Sequence, residues 1–412
     1  MIKSFSALLA LSAFGLLFVT SCSKDDSASA GNEIGSSASQ NGEPADSTEL
    51  SSSSEEAVPC DTEGAFVWTE QGVRYSLCKD GFWQGHPVEP HESNGFDECQ
   101  FNFGAAWQTA HEKEEFYRGL DYIAVWLGDN AFYNAFEKRM VKMCLKVNAT
   151  PMIYAYVIAE FGKDQGLVDC DMSDAEHPKS LCSDGSELMR TYFADSILYR
   201  YKKYAEGMQS QLELLEVDPT TFKSIWLIEP DFYQYSESAS KQKFYYDSTG
   251  QVGGGIPDSL MGVYFKQIVE TIRTYLPAAK VAVDISPWIS DRDTAAQREW
   301  YSNFDMDEID YLSTSGGRTS AMSEYVRTGN KAKWRALYEL TGKPILADAG
   351  YDAGGQGTGH AVAWDKSFNI LPRMADGVLG VMQMDAEYGY PALADTVRPQ
   401  LNYQYPWCTE KK

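Results

Sequence analysis

The sequence predicts an α/β protein: a (β/α) TIM-like barrel of seven or eight parallel strands, regular or distorted, with a small Cys-stapled β unit in front. Three observations predict it. Short apolar runs without polar alternation recur from about residue 100 onward, as strands buried on both faces of a parallel sheet require. Amphipathic stretches of helical period fill the intervals, so strands and helices alternate. No second break in composition divides this region, which favours one closed barrel over an open sheet with a further domain.

Taken in order, the expected strands are Gln100–Ala105, Tyr122–Leu127, Met152–Ile158, Ser224–Ile228, Lys280–Ile285, Ile309–Ser313, Pro344–Ala347 and Val378–Met384. Tyr122–Leu127 is also compatible with a helix. Helical periodicity covers Ala131–Val147, Glu187–Glu216, Asp258–Leu276, Thr294–Tyr301, Ser320–Leu340 and Lys366–Arg373, with Asn130 and Asp258 as N-caps.

The N-terminal part is of another kind. Lys3 and the apolar run Ala7–Val19 form a targeting segment too short to span a membrane and remain there. Val19-Thr20-Ser21-Cys22 resembles the lipobox of bacterial lipoproteins, which implies a signal peptide over 1–21 and lipidation of Cys22. Ser23 then favours an outer-membrane or cell-surface anchor. Residues 22–59 form a tether; 23–59 hold eleven Ser and eight acids against one Lys, too little apolar surface to fold. Residues 60–94 form the small disulfide-stapled module, and 95–412 the barrel.

Seven Cys follow Cys22, an odd number, so at least one thiol is left over in an exported chain. Cys60 and Cys78 bracket a short strand-like stretch, and Cys170 and Cys182 an acidic loop. Cys99 and Cys408 stand at the two ends of the barrel region, where a bridge would tie the termini. Cys144, on a helical stretch, is the candidate free buried thiol.

Charge narrows the partners. With 35 Lys+Arg against 59 Asp+Glu the net charge is −24, which excludes nucleic acid and a polybasic contact with anionic lipid. A neutral polysaccharide or oligosaccharide is compatible, and 25 Tyr and 10 Trp supply amphipathic ring faces. The chain is expected to act as a monomer without cofactor, its membrane contact being the N-terminal lipid.

In a (β/α) barrel the reacting groups stand just after the C-terminal ends of the strands. Those positions carry Glu160, Glu229-Pro230-Asp231, Asp284, Ser313-Thr314-Ser315, Asp348, and Asp385 with Glu387. Aromatic candidates for sugar contact are Trp107, Tyr233 and Trp288. Nucleophilic triads need His near Ser or Cys, and of the five His only His360 lies near a strand end. His111-Glu112 lacks the second His of a zinc motif, so no metal site is expected. Gly354–Gly359 lacks a phosphate-binding Lys and suits a loop over a cleft. Carboxylates without His or Cys partners suit glycoside hydrolysis, in which one carboxyl group protonates the leaving oxygen and another assists water or attacks.

Ser224-Ile225-Trp226-Leu227-Ile228-Glu229-Pro230-Asp231 resembles the strand of glycoside hydrolase family six that ends in Ile-Glu-Pro-Asp. The resemblance extends, in order, to Met152–Tyr156 with Val168-Asp169-Cys170, Val281–Asp284 with Trp288, Ile345–Gly350, and Gly380–Asp385. It implies a cellulase-like, inverting enzyme acting on a β-glucan such as cellulose, with Asp231 as general acid. It makes Asp169 the second catalytic Asp, with Asp164 as competitor, and Asp385 the base. Asp284, Trp288 and Asp348 would line the cleft. No His follows Asp284, and the Lys and paired Gly of the last motif are missing. Two other readings stay open: a retaining glycosidase using Glu229 or Glu387, and a non-catalytic glycan-binding lipoprotein on a barrel.

Overall fold

The computed structural model describes residues 58–63, 65–70, 74–169, 176, 179–235, 245–246, 252–253, 256, 258–285, 294–314, 319–327, 332–349, 362–387 and 389–408. The first three strands, β1 (Phe66–Glu70), β2 (Arg74–Lys79) and β3 (Phe82–Pro87), form an antiparallel sheet. A sheet this small holds little core. Its staple is the Cys60–Cys78 disulfide, beside which Tyr75 stacks on His86 at 5.2 Å.

Eight further strands close into one ring: β4 (Asn102–Ala106), β5 (Tyr122–Leu127), β6 (Thr150–Ala155), β7 (Ile225–Ile228), β10 (Lys280–Asp284), β11 (Tyr311–Ser313), β12 (Ile345–Asp348) and β13 (Val378–Gln383). Between β7 and β10 lies a short hairpin, β8 (Tyr245–Tyr246) and β9 (Val252–Gly253). Every neighbouring pair in the ring is parallel, including β13 with β4 and β7 with β10, which close it. The expected α/β barrel is therefore present, with eight strands. The helices are α1 (Glu114–Tyr117), α2 (Ala135–Val147), α3 (Val157–Asp164), α4 (Leu181–Tyr192), α5 (Leu198–Leu214), α6 (Asp258–Tyr275), α7 (Thr294–Tyr301), α8 (Trp334–Thr341), α9 (Ser367–Ala375) and α10 (Tyr390–Val397). Among the described residues no helix is long and apolar enough to cross a membrane.

The barrel interior is filled by side chains, and one contact fixes two of its strands. Gly104 on β4 pairs in register with Tyr122 on β5, whose ring would lie 2.4 Å from any Cβ at position 104. Only glycine leaves room for that phenol. Tyr122 settles the ambiguity of its segment: 122–127 is a strand, buried along nearly all its length.

Several boundaries differ from expectation for local reasons. The strand expected to reach Ile158 stops at Ala155. The Tyr156 amide still donates to Leu127 O on β5, but the Tyr156 carbonyl already accepts from Glu160 N, so the ladder gives way to α3 there. The N-cap of α2 is Asn134, not Asn130: it accepts from Phe136 N at 2.7 Å while Glu137 reaches back to the Asn134 amide, a capping box. The long helix expected over 187–216 is divided by a π turn at Phe193–Ile197. Among the described residues of the stretch 320–340 only those from Trp334 onward are helical. Isolated bridges Thr319–Arg327 and Tyr325–Lys333, with the Trp334 indole donating to Ser323 O, hold what precedes it as a loop.

The ends are tied as the cysteine spacing suggested, by Cys99–Cys408, and Cys144 is free and buried. Cys182 is also disulfide-bonded, whereas Cys170 lies outside the described residues, as does Cys22 with the whole N-terminal segment.

Candidate active site

The mouth at the C-terminal ends of the strands collects the carboxylates, and Asp231 is the best defined of them. It follows β7 after Pro230, which cannot donate a ladder hydrogen bond and helps lead the chain out of the sheet. The half-buried Asp231 carboxyl accepts a hydrogen bond from the Tyr156 hydroxyl on one oxygen and one from Gln234 Nε2, at 2.5 Å, on the other. Two donors aimed at a carboxyl group favour its ionised form. Burial, and next the Asp231 charge, hold the Tyr156 phenol well above its ordinary range, so it stays a donor.

Around Tyr156 stands a charged group from α3 and the loop after it. Lys163 lies 5.6 Å from the Tyr156 ring centroid and pairs with Glu160 at 2.9 Å and with Asp169 at 3.3 Å. Burial alone would lower the Lys163 ammonium, but these two carboxylates outweigh it and hold it above its usual value. Asp169 thus belongs to the Tyr156 cluster as a carboxylate ion-paired with Lys163. Its competitor Asp164 does not: it ends α3 and is bound by the buried Arg200, which also donates to Gly128 O.

Glu229 faces another way. Its φ of +46° lies in the left-handed region. Its fully buried carboxyl is turned onto the first turn of α3, where Oε1 accepts from Ile158 N at 2.7 Å and from the Tyr201 hydroxyl at 2.5 Å. Burial pushes its pKa up to about 8, against Tyr201 and the amides of Ile158, Val157 and Ala159, which pull it down. With no exposed atom, Glu229 is not placed to meet a sugar, which corrects its expected role as an alternative catalytic group.

A cavity of about 520 Å³ lies at the ends of β13, β4 and β5, running from the side of the mouth opposite β7 towards Tyr156. Trp107, Gln108, Trp126, His111, Asp385 and Glu387 contribute to its walls. Asp385 is half-buried and Glu387 exposed. Trp107 stacks on Tyr117 at 5.2 Å, and Gln108 Nε2 donates to the carbonyls of Met384 and Ala386, fixing the loop that carries Asp385. The indole N–H groups of Trp107 and Trp126 are buried and have no acceptor among the described residues. Trp126 also meets Tyr156 edge-on at 5.8 Å, so this cavity adjoins the Asp231 cluster. A second cavity, of about 290 Å³, opens at the other end of the barrel; its Asp310 is held by Arg273 and Lys280.

The remaining expected residues fall into place around this. Asp284 and Asp348 end β10 and β12 and are buried, Asp348 completely. The Asp348 backbone is fixed by Thr314 and Thr319. Tyr233 is 4% exposed with its ring edge-on to Trp300 at 4.9 Å, which makes it a packing residue and corrects the expectation of a sugar platform. Trp288, His360 and Gly354–Gly359 lie outside the described residues. Among the described residues no cluster of ligating side chains could hold a metal ion.

Sequence reasoning missed Tyr156, Trp126, Lys163 and Gln108. Tyr156 is the first residue after β6 and Gln108 the second after β4, so a reading of strand ends not confined to carboxyl groups reaches both. Trp126, inside an apolar strand, carries no such signal.

No family model matches the chain, and no curated protein matches it. Among solved structures it is similar to an endo-1,4-β-xylanase from Caldicellulosiruptor owensensis, with 12% identity over 71% of this chain and 87% of that one and a TM-score of 0.40. A β-1,4-D-mannanase from Cryptopygus antarcticus gives 11% identity, 76% and 94% coverage, and a TM-score of 0.39. An intracellular xylanase from Thermoanaerobacterium saccharolyticum gives 13%, 69%, 86% and 0.39. These findings correct the resemblance to glycoside hydrolase family six: the similar structures are xylanases and mannanases, and no family model supports that membership.

Proposed function

We propose that this chain is a glycoside hydrolase that cleaves a neutral polysaccharide or oligosaccharide at the barrel mouth, with Asp231 and Asp385 as the carboxylate pair. One observation carries the reading. β7 and β13, after which these residues stand, are four places apart in the ring of eight and so diametrically opposed, with the aromatic cavity on the Asp385 side. Glycoside cleavage needs two carboxyl groups on opposite sides of the scissile bond. The Tyr156 and Gln234 donors on Asp231 support the base role there and leave Asp385 as the acid, the reverse of the roles the family resemblance implied.

The Trp107 and Trp126 rings give that wall an apolar face suited to a sugar ring. We take the reaction as inverting, which requires about 6.5–9.5 Å between the two carboxyl groups to admit a water. The anchor proposed at Cys22 would hold the enzyme at the outer membrane or cell surface on the tether 22–59, beside polymeric substrate.

The test is hydrolysis of a panel of soluble β-glucan, xylan and mannan, followed by new reducing ends and by NMR of the first anomer formed. Release of the inverted anomer from any member supports the proposal. Binding without cleavage across the panel would favour a non-catalytic glycan-binding protein.

A further inference from the structure

Asp231 is held by Tyr156, and Tyr156 is the residue on which α3 begins, its backbone marking the switch from strand to helix. What fixes the start of that helix is therefore relevant to Asp231. The first turn of a helix presents unsatisfied amides that need an acceptor. Tyr156, the N-cap residue, supplies none from its side chain, which is extended to Asp231. The acceptor comes from the next strand: Glu229 Oε1, bound to Ile158 N at 2.7 Å.

A closed circuit results. From β7 the chain gives Glu229, whose carboxyl holds α3; α3 begins at Tyr156, whose hydroxyl reaches Asp231; and Asp231 returns through Pro230 to Glu229. Tyr201 on α5 clamps the same Glu229 oxygen at 2.5 Å and fixes the carboxyl from outside the ring. The left-handed backbone at Glu229 has a cost that a glycine would avoid. Its own amide donates to Ala155 O at 3.0 Å, so the strained residue is bound to β6 through its backbone and to α3 through its side chain. Strain of this kind persists where the surroundings over-determine it, as happens at functional sites.

We infer that Glu229 is a positioning residue: its carboxyl fixes the first turn of α3 so that the Tyr156 hydroxyl is delivered to Asp231. This rests on the reading of Asp231 as one of the reacting carboxylates. An ordinary helix cap would affect stability alone. A positioning residue also affects turnover in the folded protein, because small misplacement of a reacting group is costly.

The experiment compares Glu229→Ala, which removes the acceptor, with Glu229→Gln, which keeps one acceptor oxygen for Ile158. Crystal structures and kinetics are taken well below the melting temperature. In Glu229→Ala the Tyr156–Asp231 hydrogen bond should be broken and kcat reduced on the order of 10²-fold with KM nearly unchanged. Glu229→Gln should restore both in large part. If Glu229→Ala does not fold, Tyr201→Phe takes its place and should lower kcat in the same direction. An intact Tyr156–Asp231 bond and wild-type kcat in the folded variant would overturn the inference. The crystallographic comparison separates the two claims: if the wild type cleaves no glycoside, the proposed function fails, and the position of Tyr156 still decides the role of Glu229.

Discussion

The Tyr156 hydroxyl donates its hydrogen bond to the Asp231 carboxyl across 75 residues of sequence, joining the end of β6 to the end of β7 at the barrel mouth. Tyr156→Phe removes the donor and leaves the ring, including its contact with Trp126, in place. Turnover should fall about 10- to 100-fold and the melting temperature by a few degrees, since a hydrogen bond to a charged group is worth about 1.5–3 kcal/mol. Because the two groups act together, Tyr156→Phe combined with Asp231→Asn should be little worse than Asp231→Asn alone. Additive losses would show that the phenol acts elsewhere.

The buried carboxyl of Glu229 gives a pH dependence of stability. Its pKa rises from 4.5 to about 8 on folding, so between these values the folded chain binds a proton that the unfolded chain has released. Its contribution to stability is full below pH 4.5 and is lost as the pH rises through about 8, a change of about 3–5 kcal/mol. Glu229→Gln does not titrate. The urea midpoint of the wild type should therefore fall from pH 5 to pH 9 more steeply than that of the variant; parallel curves would remove Glu229 as the source.

Closing the longest loop in the chain should matter for stability. Cys99 and Cys408 are 309 residues apart, and a cross-link over so long a loop contributes about 6 kcal/mol in the chain-entropy model. Cys408→Ala should lower the melting temperature markedly without changing KM, because this bridge joins the ends of the barrel chain and has no part in the mouth. An unchanged melting temperature would mean that the termini are held by packing alone.

Trp126→Phe keeps an aromatic wall in the cavity and deletes the N–H. The smaller ring covers less of a bound sugar, so KM for oligosaccharide should rise about two- to tenfold while kcat stays within about twofold. A fall in kcat alone would place Trp126 on the Tyr156 side of its contacts instead.

Much of the fold was legible because barrel strands are buried on both faces, which writes them as unbroken apolar runs. All eight ring strands lie within a few residues of the expected positions, and Asp231 and Asp385 stand just after the ends of two of them. The site was less legible, since its side-chain directions are not sequence-local. Glu229 and Asp231 are two residues apart, yet one left-handed dihedral at Glu229 turns it into the wall while Asp231 meets Tyr156. Tyr233 looks like a platform in sequence, but Trp300 from α7 covers it. The Glu-Pro-Asp segment was likewise too short to carry a family assignment.

The central claim is that Asp231 and Asp385 act as a base and acid pair, and paired kinetics of Asp231→Asn and Asp385→Asn test it most directly. Both are assayed on an unactivated oligosaccharide and on an aryl glycoside whose phenol is acidic enough to leave without protonation. Both variants should lose about 10²–10⁴-fold in kcat on the oligosaccharide. On the aryl glycoside Asp385→Asn should recover most of its activity and Asp231→Asn should not. Wild-type turnover of either variant on the oligosaccharide, with the fold intact, would contradict the account.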